Sequence, residues 1–266
     1  MKREEFLELI WQKGDELYRE MPWRTDTRPY YVLVSELMLQ QTQVDRVIPK
    51  FEAFIKRFPD ERHLADAPLA EVLTLWNGLG YNRRAKFLHE SARKIVYEYQ
   101  GIFPSEYDQV LDLPGVGKGT AGALMTYAFN TAQPFVETNV RTVYFQHFFE
   151  GYDTVDDKEI LAKVVETIDH EHPRAFYWAL MDYGSWLKRH GASRNALSRG
   201  YKKQSPLKGS VREVRGQIIR QLTETSMTEM QLKRQLSADE RFEPALLGLL
   251  RDGLVTRTNG RIHLTK

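Results

Sequence analysis

The 266-residue chain contains no cysteine. Disulfides, thiolate metal sites, cysteine-bound iron–sulfur clusters and cysteine nucleophiles are thereby excluded. A strong excess of either charge is also missing, with 38 Lys and Arg against 36 Asp and Glu. A polyanionic partner would therefore have to be met by a local concentration of positive charge. No apolar run approaches the ~20 residues of a membrane-spanning helix. The opening Met1-Lys-Arg-Glu-Glu lacks the apolar stretch of a secretory signal. These absences predict an intracellular, cytoplasmic protein with no membrane partner. Strand-like alternation is scarce too, none of note before residue 250.

What is present is helical periodicity. Apolar positions at helical spacing predict helices over 4–18, 31–39, 44–58, 69–75, 84–99, 107–111, 118–129, 140–149, 158–168 and 175–187, separated by proline and glycine stops. A local concentration of positive charge also exists. From Lys188 to Arg220 the chain carries Lys188, Arg189, Arg194, Arg199, Lys202, Lys203, Lys208, Arg212, Arg215 and Arg220, opposed by Glu213 alone. Alone, this run fits a solvated linker with a basic helix as well as a phosphate-contacting strip. Residues 200–209 read as a linker, polar and interrupted by Pro206. Three helices follow, over 211–222, 229–236 and 241–252. The chain then reaches two short alternating stretches around Asn259-Gly260, a strong hairpin signal. Three helices and a terminal hairpin over 210–266 describe a winged-helix-like module, a type that binds DNA or docks proteins.

Leu113-Pro114-Gly115-Val116-Gly117-Lys118-Gly119-Thr120-Ala121 is the most specific local signal. Pro114 ends the preceding helix, and Gly117 leads into the next, whose first amides have no intrahelical partners. Gly115, Val116, Gly117, Lys118, Gly119 and Thr120 thus form a seat for a DNA phosphate. The spacing is not that of a nucleotide-binding P-loop. A tight turn between packed helices is the competing account.

Two carboxylates stand out. Glu36 lies in the apolar stretch Ser35-Glu36-Leu37-Met38-Leu39, followed by Gln40-Gln41-Thr42. Burial would raise its pKa and keep it protonated. Glu137 stands at the mouth of the next helix, beside Asn139. Taken singly, Glu36 fits a core acid with a basic partner, and Glu137 an ordinary acid near a helix start. As a pair they suit glycosidic cleavage, one donating a proton and the other balancing an oxocarbenium-like sugar. Tyr81, Gln41 and Trp23 are candidates to fill or stack in the space left by an extruded base.

Together these segments resemble the adenine DNA glycosylase (MutY) branch of the helix-hairpin-helix GPD superfamily. The likeness is carried by Pro22-Trp23-Arg24, by 35–44, by Leu75-Trp76-Asn77-Gly78-Leu79-Gly80-Tyr81-Asn82-Arg83-Arg84-Ala85, by 113–123, by Asn139-Val140-Arg141 and by Leu180-Met181-Asp182-Tyr183-Gly184. It implies an all-α, two-lobed glycosylase domain over 1–199. One lobe would be a six-helix barrel over about 26–135, the other 1–25 with 136–199. It further implies that Glu36 is the general acid, with Glu137 and Asn139 completing the catalytic set. Trp23, Arg24, Gln41, Thr42 and Tyr81 would line the base pocket or wedge the duplex. The implied partner is double-stranded DNA carrying a mismatch or base lesion, bound by a monomer of bacterial, nucleoid-associated type.

Four departures shape the expected activity. The family's usual aspartate is Glu137, one methylene longer. Gly119 replaces the lysine of strand-cleaving relatives, so a monofunctional glycosylase without lyase activity is expected. The stretch 188–204 lacks the cysteines that hold an iron–sulfur cluster in most relatives, so no cofactor is expected beyond a monovalent cation at the hairpin backbone, and no side-chain metal site. Finally, the module over 210–266 is too short for the Nudix-like domain that accompanies 8-oxoguanine recognition. The expected substrate is adenine opposite guanine or 8-oxoguanine. Thymine or uracil mismatches, or non-catalytic binding of mismatched DNA, are the alternatives.

Overall fold

Acids and capping side chains mark where the helices begin. In the computed structural model, which describes residues 1–201 and 205–266, helix α1 (Arg3–Leu17) has Glu4 and Glu5 in its first turn, opposite the positive end of the helix dipole. Lys202 and Lys203 of the basic run, and Gln204 of the expected linker, lie outside the described residues. The helices that follow are α2 (Pro22–Thr25), α3 (Pro29–Leu39), α4 (Val44–Arg57), α5 (Glu61–Asp66), α6 (Leu69–Trp76), α7 (Arg83–Tyr97), α8 (Tyr107–Leu111), α9 (Lys118–Tyr127), α10 (Thr138–Phe148), α11 (Asp157–Thr167) and α12 (Pro173–Arg189). Every helix expected from periodicity is present within one or two residues at most ends. The short α2 and α5 were not expected, because one or two turns carry too little periodicity to register.

The chain divides into two compact units. The first comprises Met1–Val32, Ser105–Asp112 and Val116–Lys203, the second Leu33–Pro104, Leu113–Gly115 and Gln204–Lys266. This grouping differs from lobes drawn at 26–135 and 136–199. Helix α9 belongs to the first unit because its Ala121, Ala123, Leu124 and Tyr127 are buried there, with the Tyr127 ring against Phe135 and Trp178.

In the first unit α12 is the central element, packed on α1, α9 and α10. Phe6 of α1 meets Tyr144 and Phe148 of α10 with ring centroids 5.2 and 4.9 Å apart. Close approach is enforced at Gly184, where a Cβ would lie 2.4 Å from the Asn139 carbonyl oxygen. Tyr177 of α12 stacks on Phe135 at 4.2 Å. Its hydroxyl accepts from Phe135 N at 2.8 Å and donates to Phe135 O at 3.1 Å. That clamp fixes the segment leading into α10.

In the second unit α7 runs through a core that includes Phe54, Phe58 and Trp76. The C-terminal residues belong to the same unit. They form α13 (Val211–Glu224), β1 (Met227–Thr228), α14 (Glu229–Gln235), α15 (Phe242–Arg251), β2 (Val255–Thr258) and β3 (Arg261–Leu264). The antiparallel sheet has the order β1-β3-β2, with Val255 opposite Leu264 and Thr258 opposite Arg261. Asn259 and Gly260 turn the hairpin with φ of 50° and 72°, as a two-residue primed turn requires. The two-residue β1 was not expected; it closes the third edge of a winged-helix sheet against Ile262 and Arg261. Helix α13 and β3 pack on α6, and Lys86 Nζ donates to Asp252 O at 2.8 Å. Asp252 also pairs with Arg215 at 2.5 Å. The module is therefore docked on the second unit's helices rather than tethered at a distance.

Candidate functional site

Glu36 sits on α3 between Ser35 and Leu37, both fully buried, and is itself half-buried. The helix ends at Leu39, and two residues on Gln41 turns the chain with φ of +58°, an unusual conformation for a side-chain-bearing residue. Gln41 is exposed at this turn. Opposite it within the same unit lies the loop after α6, where Tyr81 also has positive φ, at +49°. Strained backbone of this kind persists only where surrounding contacts over-determine it.

Arg84 supplies those contacts. Its buried guanidinium donates from Nη1 to the carbonyls of Leu37 (2.7 Å), Met38 (2.9 Å) and Gln40. From Nη2 it reaches Thr42 Oγ1 (3.2 Å), Leu79 O (3.3 Å) and Gly80 O (2.9 Å). The last carbonyls of α3 and the loop bearing Tyr81 are thus tied to one side chain. Burial pulls its pKa down to about 10, still well above neutrality. Thr42, expected in the pocket, donates to Leu79 O at 3.4 Å and belongs to this same tie. Periodicity gives no sign of Arg84's role; its place three residues after Tyr81 was the available signal.

In the first unit Glu137 is the N-cap of α10, accepting from Asn139 N at 2.8 Å. Glu137 therefore does what an ordinary acid at a helix start does, capping the first turn of α10. Asn139 Oδ1 is buried and accepts no hydrogen bond, while Nδ2 faces Met181 Sδ at 3.9 Å. A buried acceptor without a donor is costly and marks a place where a water or ligand donor would fit. Lys188 lies near Glu137. Burial pulls its ammonium below the usual lysine range, with the Glu137 charge opposing that shift and Arg19 adding to it. Sequence reasoning saw Lys188 only as the start of a basic run.

Arg24 is placed differently from the expected pocket residue. Its guanidinium is buried and doubly bonded to Asp182 of α12, at 2.7 and 3.1 Å, and Arg19 Nε joins the same carboxylate at 2.6 Å. It also lies over the Tyr18 and Trp178 rings. With its donors engaged in this way, Arg24 serves the scaffold. Trp23 is buried in the same unit, 7% exposed.

The hairpin between α8 and α9 has the expected form. Gly115 has φ of +78°, and a Cβ there would meet Phe87 at 2.7 Å. Ser91 Oγ holds the turn by donating to Pro114 O at 2.8 Å. Val116 is buried beneath the turn, whereas Gly117, Lys118 and Gly119 are exposed at the start of α9 and Thr120 is half-buried. Beyond the adjoining chain and the helix's own backbone, no atom lies within 4 Å of the Cβ positions at Gly117 and Gly119, which leaves room for another backbone to approach. The amides opening α9 can receive an anion.

After α12, where the family resemblance implies a cluster site, the donor set holds no thiolate and does not fit an iron–sulfur group. Hydrogen bonds hold the stretch instead. Asn195 Nδ2 donates to Thr142 Oγ1 at 2.9 Å, and Val155 bridges to Ser198. Among the described residues, no group of three or more His, Asp or Glu is placed to hold a metal ion, and no helix is long and apolar enough to cross a membrane. A hollow of about 700 Å3 in the second unit, lined by Ala70, Thr74, Leu222, Thr258, His263 and Leu264, contains none of the candidate residues.

A glycine turn joining two helices, with open amides at the second and a carboxylate-bearing helix on a strained loop, defines a helix-hairpin-helix protein. The chain belongs to the HhH-GPD superfamily of base excision DNA repair proteins, whose family model matches residues 34–168. It is 36% identical over 273 residues to an adenine DNA glycosylase of Mycolicibacterium smegmatis, spanning 94% of this chain and 92% of that protein. It is 38% identical over 170 residues to the adenine DNA glycosylase of Buchnera aphidicola subsp. Baizongia pistaciae. That match covers 64% of this chain and 48% of the relative, so the chain spans about half the length of the Buchnera protein. Among solved structures, a thermostable thymine-DNA glycosylase superposes with a TM-score of 0.65 at 26% identity, covering 73% of this chain and 94% of that one.

Proposed function

We propose that the protein is a monofunctional DNA glycosylase that removes adenine paired with guanine or 8-oxoguanine. One observation carries the substrate: the Mycolicibacterium relative bears the name adenine DNA glycosylase and matches nearly end to end, C-terminal module included.

In this reading the phosphate backbone seats on the amides of Gly117, Lys118 and Gly119, which position without reading sequence. Tyr81 and Gln41 enter the duplex as the adenine leaves the stack. Glu36 protonates the departing base, which weakens the N-glycosidic bond, and then assists water to the sugar. Glu137 balances the cationic sugar, and the unpaired Asn139 Oδ1 accepts a hydrogen bond from the water, whose proton passes to the Glu36 carboxylate. Gly119 offers no amine, so no Schiff base forms there. The protein acts without a metal or cluster, on double-stranded DNA, as a monomer.

A second reading, removal of thymine opposite guanine, is favoured by the superposition on the thymine-DNA glycosylase. A panel of duplexes carrying each mismatch and each oxidised or deaminated base, treated with alkali to reveal abasic sites, decides between them. Cleavage at adenine is the expected result; cleavage at thymine alone would transfer the assignment. No alkali-labile site in any duplex would leave mismatch binding as the function.

A further inference from the structure

The Tyr81 side chain is held at both ends. At its base, Arg84 Nε donates to Tyr81 O at 3.4 Å, and the Arg84 guanidinium lies 5.6 Å from the ring centroid. At its tip, the hydroxyl accepts a hydrogen bond from Arg212 Nη1, and the Arg212 guanidinium lies 4.9 Å from the same centroid. Arg212 stands in the first turn of α13, 131 residues further along the chain. Its other terminal nitrogen donates to Ser205 O at 3.0 Å, which fixes the fork.

A tyrosine serving only the core would be buried. Tyr81 is half-exposed, at a backbone angle that disfavours side chains, with two guanidinium groups within cation–π range of its ring. Such an arrangement orders the ring before any DNA arrives, so its entropy is not lost during intercalation. The tie at the tip comes from the C-terminal module, which is docked on the same unit through Asp252.

We propose that Arg212 is a positioning residue for the wedge: it holds the Tyr81 ring ready to enter the base stack, and so makes the C-terminal module part of base extrusion. This rests on the glycosylase reading and deepens it. Extrusion, rather than duplex affinity or chemistry, is the step it governs.

The test uses the full chain and a mismatched duplex with 2-aminopurine beside the target adenine. Glu36→Gln protein is used for the fluorescence, so that unstacking is read without cleavage. In that background Arg212→Ala is expected to slow unstacking about tenfold, the size of one lost charge-assisted hydrogen bond. Affinity for a fully paired duplex should scarcely change, and single-turnover base release by the Glu36-containing protein should fall by the same factor. Arg212→Lys, which keeps the cation but not the fork, should recover part of the rate. On a Tyr81→Phe background Arg212→Ala should add little, since the hydroxyl tie is already gone. Three results overturn the proposal: an equal loss of paired-duplex affinity, which would make Arg212 a simple phosphate contact, full additivity with Tyr81→Phe, or unchanged unstacking in Arg212→Ala. Failure of the wild-type chain to release any base would sink the glycosylase reading. The unstacking signal would still decide the role of Arg212, and normal release with unchanged unstacking in Arg212→Ala would sink that role alone.

Discussion

A guanidinium buried among carbonyls is tolerable because each N–H finds an acceptor. Arg84 reaches that condition by joining the end of α3 to the loop of Tyr81. Lysine has neither the planar fork nor the donors to replace it. Arg84→Lys is expected to cost about 2–3 kcal/mol of stability, as loss of charged hydrogen bonds does, seen as a lowered melting temperature. Base release should fall along with it; unchanged melting would show that the tie is dispensable. Asp182 poses the opposite problem, one carboxylate serving Arg19 and Arg24. Asp182→Asn would strand a buried guanidinium, for which about 3–5 kcal/mol is the usual loss, readable by urea denaturation. At the proposed chemical centre, Glu36→Gln should abolish base release while duplex binding stays nearly intact in a gel-shift titration. Undiminished turnover would remove Glu36 from the mechanism. Glu137→Asp tests reach, because the shorter side chain must choose between capping α10 and approaching the sugar. Retained release would show that the carboxylate, and not the extra methylene, is what the position requires.

At the scale of elements, the turn before α9 depends on one glycine more than on its neighbours. Gly115→Ala meets both a positive φ and Phe87 at 2.7 Å, so it should destabilise the turn by about 1–3 kcal/mol and weaken binding to any duplex without regard to sequence. A sequence-selective loss would contradict a phosphate-seat role. Helix α7 carries a pH dependence. His89 is buried, its Nε2 lies 2.9 Å from Ala67 O, and burial holds its pKa below the ordinary 6.5. His147 of α10 is shifted the same way, also by burial first. The unfolded chain binds these protons more readily than the folded one. The neutral-histidine contribution is therefore full above pH 6.5 and is lost as pH falls below it toward the folded values. Melting temperatures should drop on going from about pH 7.5 to about pH 5, and less steeply in His89→Gln. Equal slopes would clear His89 of the effect.

At the scale of the whole molecule, the C-terminal module and α6 share one packed unit, joined through α13, β3 and the contacts of Asp252. Removing residues 205–266 would uncover apolar surface on α6 as well as remove Arg212. The truncated chain should melt lower than the intact one and release base more slowly, yet retain duplex affinity through the α9 hairpin. Complete loss of DNA affinity would instead place the main DNA contact in the module.

How much of this was legible in the sequence depends on the range of the interaction. Helical periodicity, the glycine hairpin at Gly115 to Thr120 and the Asn259-Gly260 turn are local properties, set by backbone sterics and by the spacing of apolar side chains. So were the two carboxylates and the absence of thiolate, which follow from residue chemistry alone. The chain could not announce its long-range partners. That Arg24 faces Asp182 across 158 positions, that Arg84 gathers seven nearby acceptors, or that Arg212 reaches Tyr81 across 131 depends on which helix faces pack together. The same packing moved α9 to a different unit from the one expected and joined the C-terminal module to the helices it follows in sequence by more than a hundred residues. Chain chemistry determined which groups were available; tertiary packing decided which of them meet, because burial and charge pairing act between surfaces that no sequence window contains.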